Sequence, residues 1–440
     1  MRITRLEVTN FKGFEQRAFR FHPEFNLLVG VNGTGKTSIL DALAIALGGW
    51  LSGMPGQAAR AIGSHEVRLA AIAASSENPG STAASWEGQY PCTVAVEGQV
   101  DRQPVEWSRS IRSPGGRTTN AESRLIRLMA GQAAESVRGG RPVVLPLVSY
   151  YGTGRLWNVP RDQARVTGAD DIGGKADTSR LTGYRNSLDP RLSVAELVRW
   201  FGRQAWITFQ QNGREPVALD GVRTAILGCL EGVSDIGFDA GLGEVVVRLH
   251  DGTQQPFTNL SDGQRTMLAM VGDIAFKAVT LNPQFGTDAV TKTPGVVLVD
   301  ELDLHLHPRW QRRLIEALRT TFCAMQFICT THSPFLIQSL RSGEELLMLD
   351  GQPTAQLADK SLDEIAHGIM GVARPEVSAR YDEMRQVARR YLTTVDEAAR
   401  APAAQLATYK ERLADEIAPF ADNPAFQAFL EMNRVAKLGE

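Results

Sequence analysis

Phe25 to Leu40 reads FNLLVGVNGTGKTSIL. Its first five residues are apolar apart from Asn26, a pattern that suits a strand buried on both faces. Gly30-Val31-Asn32-Gly33-Thr34-Gly35-Lys36-Thr37 then fits GxxxxGK[ST], and a helix is expected from about Lys36 to Leu47. Strand, glycine turn and helix is the order that phosphate binding needs. Backbone N–H groups from Asn32, Gly33, Thr34 and Gly35 can wrap a β-phosphate, and the helix N-terminus adds a favourable dipole. Lys36 is placed to reach the β- and γ-phosphates of ATP, and Thr37 to offer its hydroxyl to Mg²⁺. Ser38 can bond the α-phosphate. The bland alternative is a glycine turn before an ordinary helix.

Three downstream segments weigh against that alternative. Val296-Val297-Leu298-Val299-Asp300-Glu301 is an apolar strand ending in two carboxylates. It would deliver Asp300 beside Mg²⁺ and leave Glu301 to polarise a water at the γ-phosphate. Leu260-Ser261-Asp262-Gly263-Gln264 opens a helical pattern. Ser261 is either a plain N-cap or, with the N–H groups after it, an anion site. Thr330-Thr331-His332-Ser333-Pro334 closes another apolar strand, where His332 can bond a γ-phosphate and sense its loss. Each segment alone is weak, but the phosphate loop upstream makes the set specific.

Composition sets the bounds. The chain has 440 residues, 43% hydrophobic and 22% charged, enough for a sizeable core. Its net charge of −2 excludes a dedicated basic nucleic-acid coat. Local excesses exist: 11 Lys or Arg against 6 acids over residues 138–203, and 6 Arg against 3 acids over 101–127. They fit either phosphate backbone or a solvated face, and no aromatic-interleaved basic stripe decides between them. The four cysteines are too few and scattered for a disulfide framework, and no CxxC suggests a zinc ribbon. Cys323 and Cys329 flank an apolar strand and read as buried small hydrophobes. No uncharged stretch of membrane-spanning length occurs. MRITRLEVTNF alternates like a strand rather than a signal peptide. The expectation is a cytoplasmic protein with no membrane partner.

Four regions are expected along the chain. Residues 1–157 hold the phosphate loop and antiparallel β segments (VRLAAIA, PCTVAVEG, PVEWSRSI), with a helix over 121–136 and a strand over Pro142–Tyr151. Residues 158–240 combine a long mobile loop over 158–190 with a small helical lobe over 192–233. Residues 241–350 carry the strand GEVVVRLH, a helix over 262–280 and the carboxylate and histidine strands. Residues 351–440 are mostly helical and rich in Glu and Arg, and suit either partner docking or a solvated surface.

The order of phosphate loop, LSDGQ signature, apolar strand ending in DE and strand-end His resembles the ABC-type ATPase heads of the SMC, Rad-fifty-like, RecF-like and OLD-type proteins. The resemblance implies an α/β fold: a P-loop ABC-ATPase head with an antiparallel β insertion, a small helical lobe and a C-terminal helical appendage. It also implies a head-to-tail homodimer in which Ser261, Asp262, Gly263 and Gln264 of one protomer close the other's ATP site. NFKGF (10–14), YYGTGRLW (150–157), LSDGQRTMLAMVGDIA (260–275), DELDLHLHPRWQ (300–311) and NPAFQAFLEMNR (423–434) are similar to the ATPase subunits of Septu-type and retron-associated anti-phage systems. Relatives of that kind assemble with a small HNH nuclease and build higher oligomers. Function is then expected to be ATP hydrolysis gating a nuclease. The alternative is a RecF-like repair ATPase that clamps DNA. Neither a Toprim pattern after His332 nor an HNH pattern is visible, so any cutting is expected from a partner.

Some positions depart from the family or stay open. ABC heads usually carry a Gln in the loop joining core to lobe. Here Tyr151–Arg155 holds that place without one, and Gln210 and Gln211 lie too deep in the lobe. Arg155 reads as a phosphate or partner contact, or as a surface salt bridge. Asp303, His305 and His307 suit a protomer-facing loop better than a metal site. Lys12 is expected to touch nucleotide, as basic residues before the phosphate loop do in this superfamily.

Overall fold

The computed structural model describes residues 1–72, 85–156, 179–349, 360–372, 374–402, 405–420 and 423–438. They fall into two units, Met1–Ile365 and Ala366–Glu440. The first holds β1 (Arg2–Phe11), β2 (Phe14–Arg20), β3 (Phe25–Val29), α1 (Lys36–Leu51), β4 (Leu69–Ile72), β5 (Ser85–Gly88), β6 (Cys92–Val100), β7 (Gln103–Ile111), α2 (Arg124–Arg138) and β8 (Leu147–Tyr151). It continues through α3 (Val194–Gln210), α4 (Val217–Cys229), β9 (Val233–Asp239), β10 (Glu244–Leu249), β11 (Gln254–Pro256), α5 (Asp262–Leu281), α6 (Ala289–Lys292) and β12 (Gly295–Val299). It closes with α7 (Pro308–Thr321), β13 (Met325–Thr330), α8 (Pro334–Gln338) and β14 (Leu346–Met348). Helix α9 (Leu362–Gly368) crosses the division, and the second unit adds α10 (Ala379–Ala398), α11 (Leu406–Ile417) and α12 (Pro424–Leu438).

Continuously apolar strands make the central sheet. Its order is β14-β3-β13-β12-β8, and every pair is parallel. Strands β3, β8, β12 and β13 are buried along their whole length, as sheets covered on both faces require. Parallel pairing brings their carboxyl ends to one edge, where Gly30, Gly152, Asp300 and Thr331 follow. Asn26 is tolerated inside β3 because its amide donates to His22 O at 2.9 Å and its oxygen accepts from His22 N at 2.7 Å.

Alternating strands make a second, antiparallel sheet of order β2-β1-β6-β7. Of the segments expected as an insertion, PCTVAVEG thus pairs with the N-terminal strand itself, Val8 opposite Val94, and PVEWSRSI pairs in turn with it, Val94 opposite Arg109, whereas β4 from VRLAAIA pairs with β5 in a two-stranded sheet. Helix α1 packs against strands of both sheets and is buried almost all round, so it shows no polar face. Trp107 Nε1 and Arg109 Nη1 donate to its carbonyls at Ala46 and Ile45, both at 2.8 Å. Gln326 joins the sheets from inside β13: it exchanges two 2.8 Å bonds with the Ile3 backbone.

Four expectations change. The strand over Pro142–Tyr151 begins only at Leu147, because Pro142 and Pro146 offer no N–H to a ladder. The lobe expected over 192–233 is helical, as α3 and α4, and GEVVVRLH is β10, but β9 and β11, unexpected from the sequence, complete an antiparallel meander with it. The mobile-loop reading of 158–190 lies outside the described residues up to 178. Beyond that, Arg180–Tyr184 forms a short 3₁₀ turn with Leu181 and Tyr184 buried. Tyr184 Oη donates to Pro146 O at 2.8 Å and accepts from Trp50 Nε1 at 3.1 Å. Cys329 is buried, but Cys323 is exposed, because it falls in the turn between α7 and β13 rather than in the strand.

The boundary expected at 350/351 falls in a stretch outside the described residues. The second unit has its own small core of Tyr391, Val395, Leu413 and Leu430, with Phe426 packed on it. Among the described residues no helix is long and apolar enough to cross a membrane.

Candidate active site

The phosphate loop follows β3 and runs into α1. Gly35 sits at φ 98°, and a Cβ there would lie 2.5 Å from the Phe14 ring, so only glycine fits. Helix α1 begins on Gly35 with no side-chain cap, which leaves its first-turn N–H groups aimed at the loop. The Lys36 ammonium donates to Gly30 O at 2.7 Å and to Val31 O at 3.2 Å. It is thus held inside the loop that would wrap a phosphate.

The ends of β12 and β13 meet this loop. Thr37 Oγ1 donates to Asp300 Oδ2 at 2.9 Å, and Thr330 Oγ1 donates to Asp300 Oδ1 at 2.6 Å. Glu301 N donates to Thr330 Oγ1 at 2.8 Å. Asp300 is buried and Glu301 half-buried, so the first carboxylate is fixed and the second reaches solvent. A hydroxyl and a carboxylate converging in this way are the hard oxygen donors that Mg²⁺ takes, so Thr37 and Asp300 fit the ion that the fold implies. His332 follows β13 and is exposed.

Glu301 has φ 49°, unusual for a residue with a side chain, and two sets of bonds hold it there. Leu304 N donates to Glu301 O at 3.0 Å, and Arg155 Nη2 donates to the same oxygen at 3.1 Å. Arg155 Nη1 donates to Asp300 O at 2.8 Å and Gly152 O at 3.1 Å. Arg155 is only 1% exposed. It is therefore neither a surface salt bridge nor an exposed phosphate contact. Burial pushes its guanidinium down to about 10, against the pull of Asp300 and Glu301, so it stays charged at neutral pH.

The signature lies apart from this cluster. Ser261 caps α5, accepting from Gln264 N at 3.4 Å and donating to Gln264 Oε1 at 2.9 Å. Asp262 pairs with Arg265. Gly263 packs so closely on the segment after Glu301 that a Cβ would meet His305 O at 2.4 Å. Among the described residues no hydrogen bond links 261–264 to the phosphate loop of the same chain. Asp303 accepts from Thr331 Oγ1, and His307 Nδ1 caps α7 by accepting from Arg309 N at 3.2 Å. Lys12 pairs with Asp41 of α1, which also meets Arg60 at 2.7 Å and Tyr150 Oη at 3.1 Å. Sequence reasoning passed over Thr330, although it stands in the segment read for His332. It also passed over a stripe on α3: Arg199, Arg203 and Trp206 recur at helical spacing, and Phe209 follows one turn on.

Two family models match the chain. One, described as "AAA domain", covers residues 5–199; the other, "AAA domain, putative AbiEii toxin, Type IV TA system", covers 187–338. "Retron Vc95 probable ATPase" of Vibrio cholerae is 42% identical over 94 residues, 21% of this chain and 18% of that one. "Retron Ec83 probable ATPase" of Escherichia coli is 25% identical over 419 residues, 80% of this chain and 72% of that one. "Septu protein PtuA" of Bacillus mycoides is 34% identical over 127 residues, 29% of this chain and 17% of that one. The match thus spans under a fifth of the Vibrio and Bacillus relatives. The two AAA-domain matches together run from residue 5 to 338, and the chain is similar to retron and Septu ATPases.

Proposed function

We propose that this chain, similar to the ATPases of retron and Septu systems, is the ATP-hydrolysing subunit of a bacterial anti-phage complex. The carrying observation is the bonded run from Thr37 through Asp300 and Thr330 to Glu301 at the mouth of the phosphate loop. ATP lies along the loop, with Asn32 to Ser38 around its phosphates and the Lys36 ammonium moved from Gly30 O to phosphate oxygens. Thr37, and Asp300 through water, would hold Mg²⁺, which would supply neutralising charge to the phosphates. Glu301 takes a proton from the attacking water, the bond from the γ-phosphorus to the bridging oxygen breaks, and ADP leaves. His332 bonds the γ-phosphate and registers its loss.

The signature closes the partner's site. Ser261 caps the start of a helix whose dipole and N–H groups suit an anion, and among the described residues its side chain bonds Gln264 rather than this chain's own phosphate loop. Two protomers head to tail give two composite sites, and the Asp303–His307 segment, packed on Gly263, lies at their contact. ATP closes the dimer and hydrolysis opens it, which gates an HNH-type nuclease held on Ala366–Glu440; larger oligomers repeat the dimer. The test is recovery of tagged Glu301→Gln protein from native cells with ATP. A stoichiometric small HNH protein supports the reading. Bulk DNA without a nuclease contradicts it.

One observation favours a nucleic-acid role beside this. Trp206 and Phe209 stack at 5.8 Å on α3 and are 54% and 74% exposed. Residues 197–214 around them carry Arg199, Arg203 and Arg214 and no acid. Exposed rings among cations suit stacked bases. Salt-sensitive oligonucleotide binding that Trp206→Ala weakens would support the clamp reading, and binding indifferent to that change would remove it.

A further inference from the structure

Arg155 is a cation sealed in the protein, and its guanidinium donates to three backbone oxygens, those of Gly152, Asp300 and Glu301. A leucine would fill that space without desolvating a charge, so the geometry has to account for one. Two of the three carbonyls belong to the turn that aims Glu301, at its positive φ.

The backbone of the same residue faces the other way. Leu192 N donates to Arg155 O at 2.8 Å, and Gly152 N donates to Pro190 O at 2.8 Å. Tyr150 N donates to Ser187 O, also at 2.8 Å. These bonds fasten 150–155 to 187–192, and the next residue, Ser193, caps α3 by accepting from Glu196 N. Helix α3 lies tight on α5, for a Cβ at Gly272 would meet Leu197 Cδ2 at 2.9 Å. Helix α5 opens with the signature. A path of hydrogen bonds, helix and one apolar packing contact therefore runs from Ser261 along α5, across Gly272 and Leu197 to the start of α3, and on to the carbonyls of Asp300 and Glu301, with Arg155 at its last joint. It occupies the Tyr151–Arg155 stretch of the core-to-lobe loop, which holds no Gln.

We infer that Arg155 is a positioning residue that ties the place of the helical lobe to the aim of Glu301, so that capture of a partner's nucleotide by the signature sets this protomer's own water-activating carboxylate. The inference rests on the ATPase reading above. Arg155→Lys keeps the charge but loses the fork that reaches two carbonyls at once. Gly152→Ala leaves Arg155 intact and wedges the other end of the joint, since its Cβ would lie 2.8 Å from Pro190 Cβ.

The experiment measures ATP binding, turnover and melting temperature for wild type, Glu301→Gln, Arg155→Lys, Gly152→Ala and the double variant. Arg155→Lys and Gly152→Ala should each hold ATP affinity within about threefold and lower kcat roughly tenfold to hundredfold. The double variant should be no slower than the slower single, because both break one path. Turnover of Arg155→Lys equal to wild type overturns the inference. So does a loss that follows affinity and melting temperature together, or losses that simply add. A wild type that leaves ATP intact, like Glu301→Gln, sinks the ATPase reading and the positioning role with it.

Discussion

Lys36 carries the formal charge at the mouth of the phosphate loop, and its ammonium donates to that loop's carbonyls at Gly30 and Val31. Lys36→Ala should weaken ATP binding by roughly two orders of magnitude, the worth of charge-assisted bonds to phosphate, while the fold persists. Titration with a fluorescent ATP analogue and a melting curve check both halves. The cysteines give an independent check of the chain's packing. Burial pushes the Cys92 thiol up to about 12 and the Cys229 thiol up to about 11, and it raises Cys329 as well. At neutral pH these three hold almost no thiolate, whereas Cys323 is exposed. A thiol reagent should therefore modify one cysteine per native chain quickly and all four only after denaturation. The motif residues could be read because phosphate chemistry needs them contiguous on one turn. Arg155 could not be, since its partners Asp300 and Glu301 come from a distant strand end and present backbone oxygens that no residue code announces.

At the scale of elements, α5 does two jobs with one residue. Ser261 completes a capping box with Gln264, worth about 1 kcal/mol to the helix start, and also presents the signature. Ser261→Arg should lower the melting temperature slightly, spare ATP binding and abolish turnover. Turnover at the wild-type rate would leave Ser261 as a cap alone. Helix α7 is fastened to the start of β14 by Arg319 and Glu345, 6% and 2% exposed at their side chains. Glu345 also accepts from Arg341 N at 2.8 Å. Glu345→Ala strands the Arg319 charge and should cost about 3–5 kcal/mol in a urea unfolding curve. Strands and helices with one strong period were legible to within a few residues: α5, β12 and β13 lie where their patterns put them. Pairing was not legible. Nothing local in PCTVAVEG says that β6 lies beside β1, because that choice is made by the faces both strands bury on α1.

For the whole molecule, the parallel sheet explains why four separated segments share one edge, and it leaves the signature at the start of another helix. Residues 366–440 enclose a core of their own, to which the segment NPAFQAFLEMNR contributes Leu430 and Phe426. The central claim is that each working site takes its phosphate loop from one protomer and its signature from the other. Mixing Lys36→Ala with Ser261→Arg tests it most directly. Each variant alone should be inactive. In a head-to-tail mixed dimer one site collects both defects and the other is intact, so random mixing should restore about a quarter of wild-type turnover. A mixture as inactive as its components, with mixed dimers present by mass, would contradict the composite site.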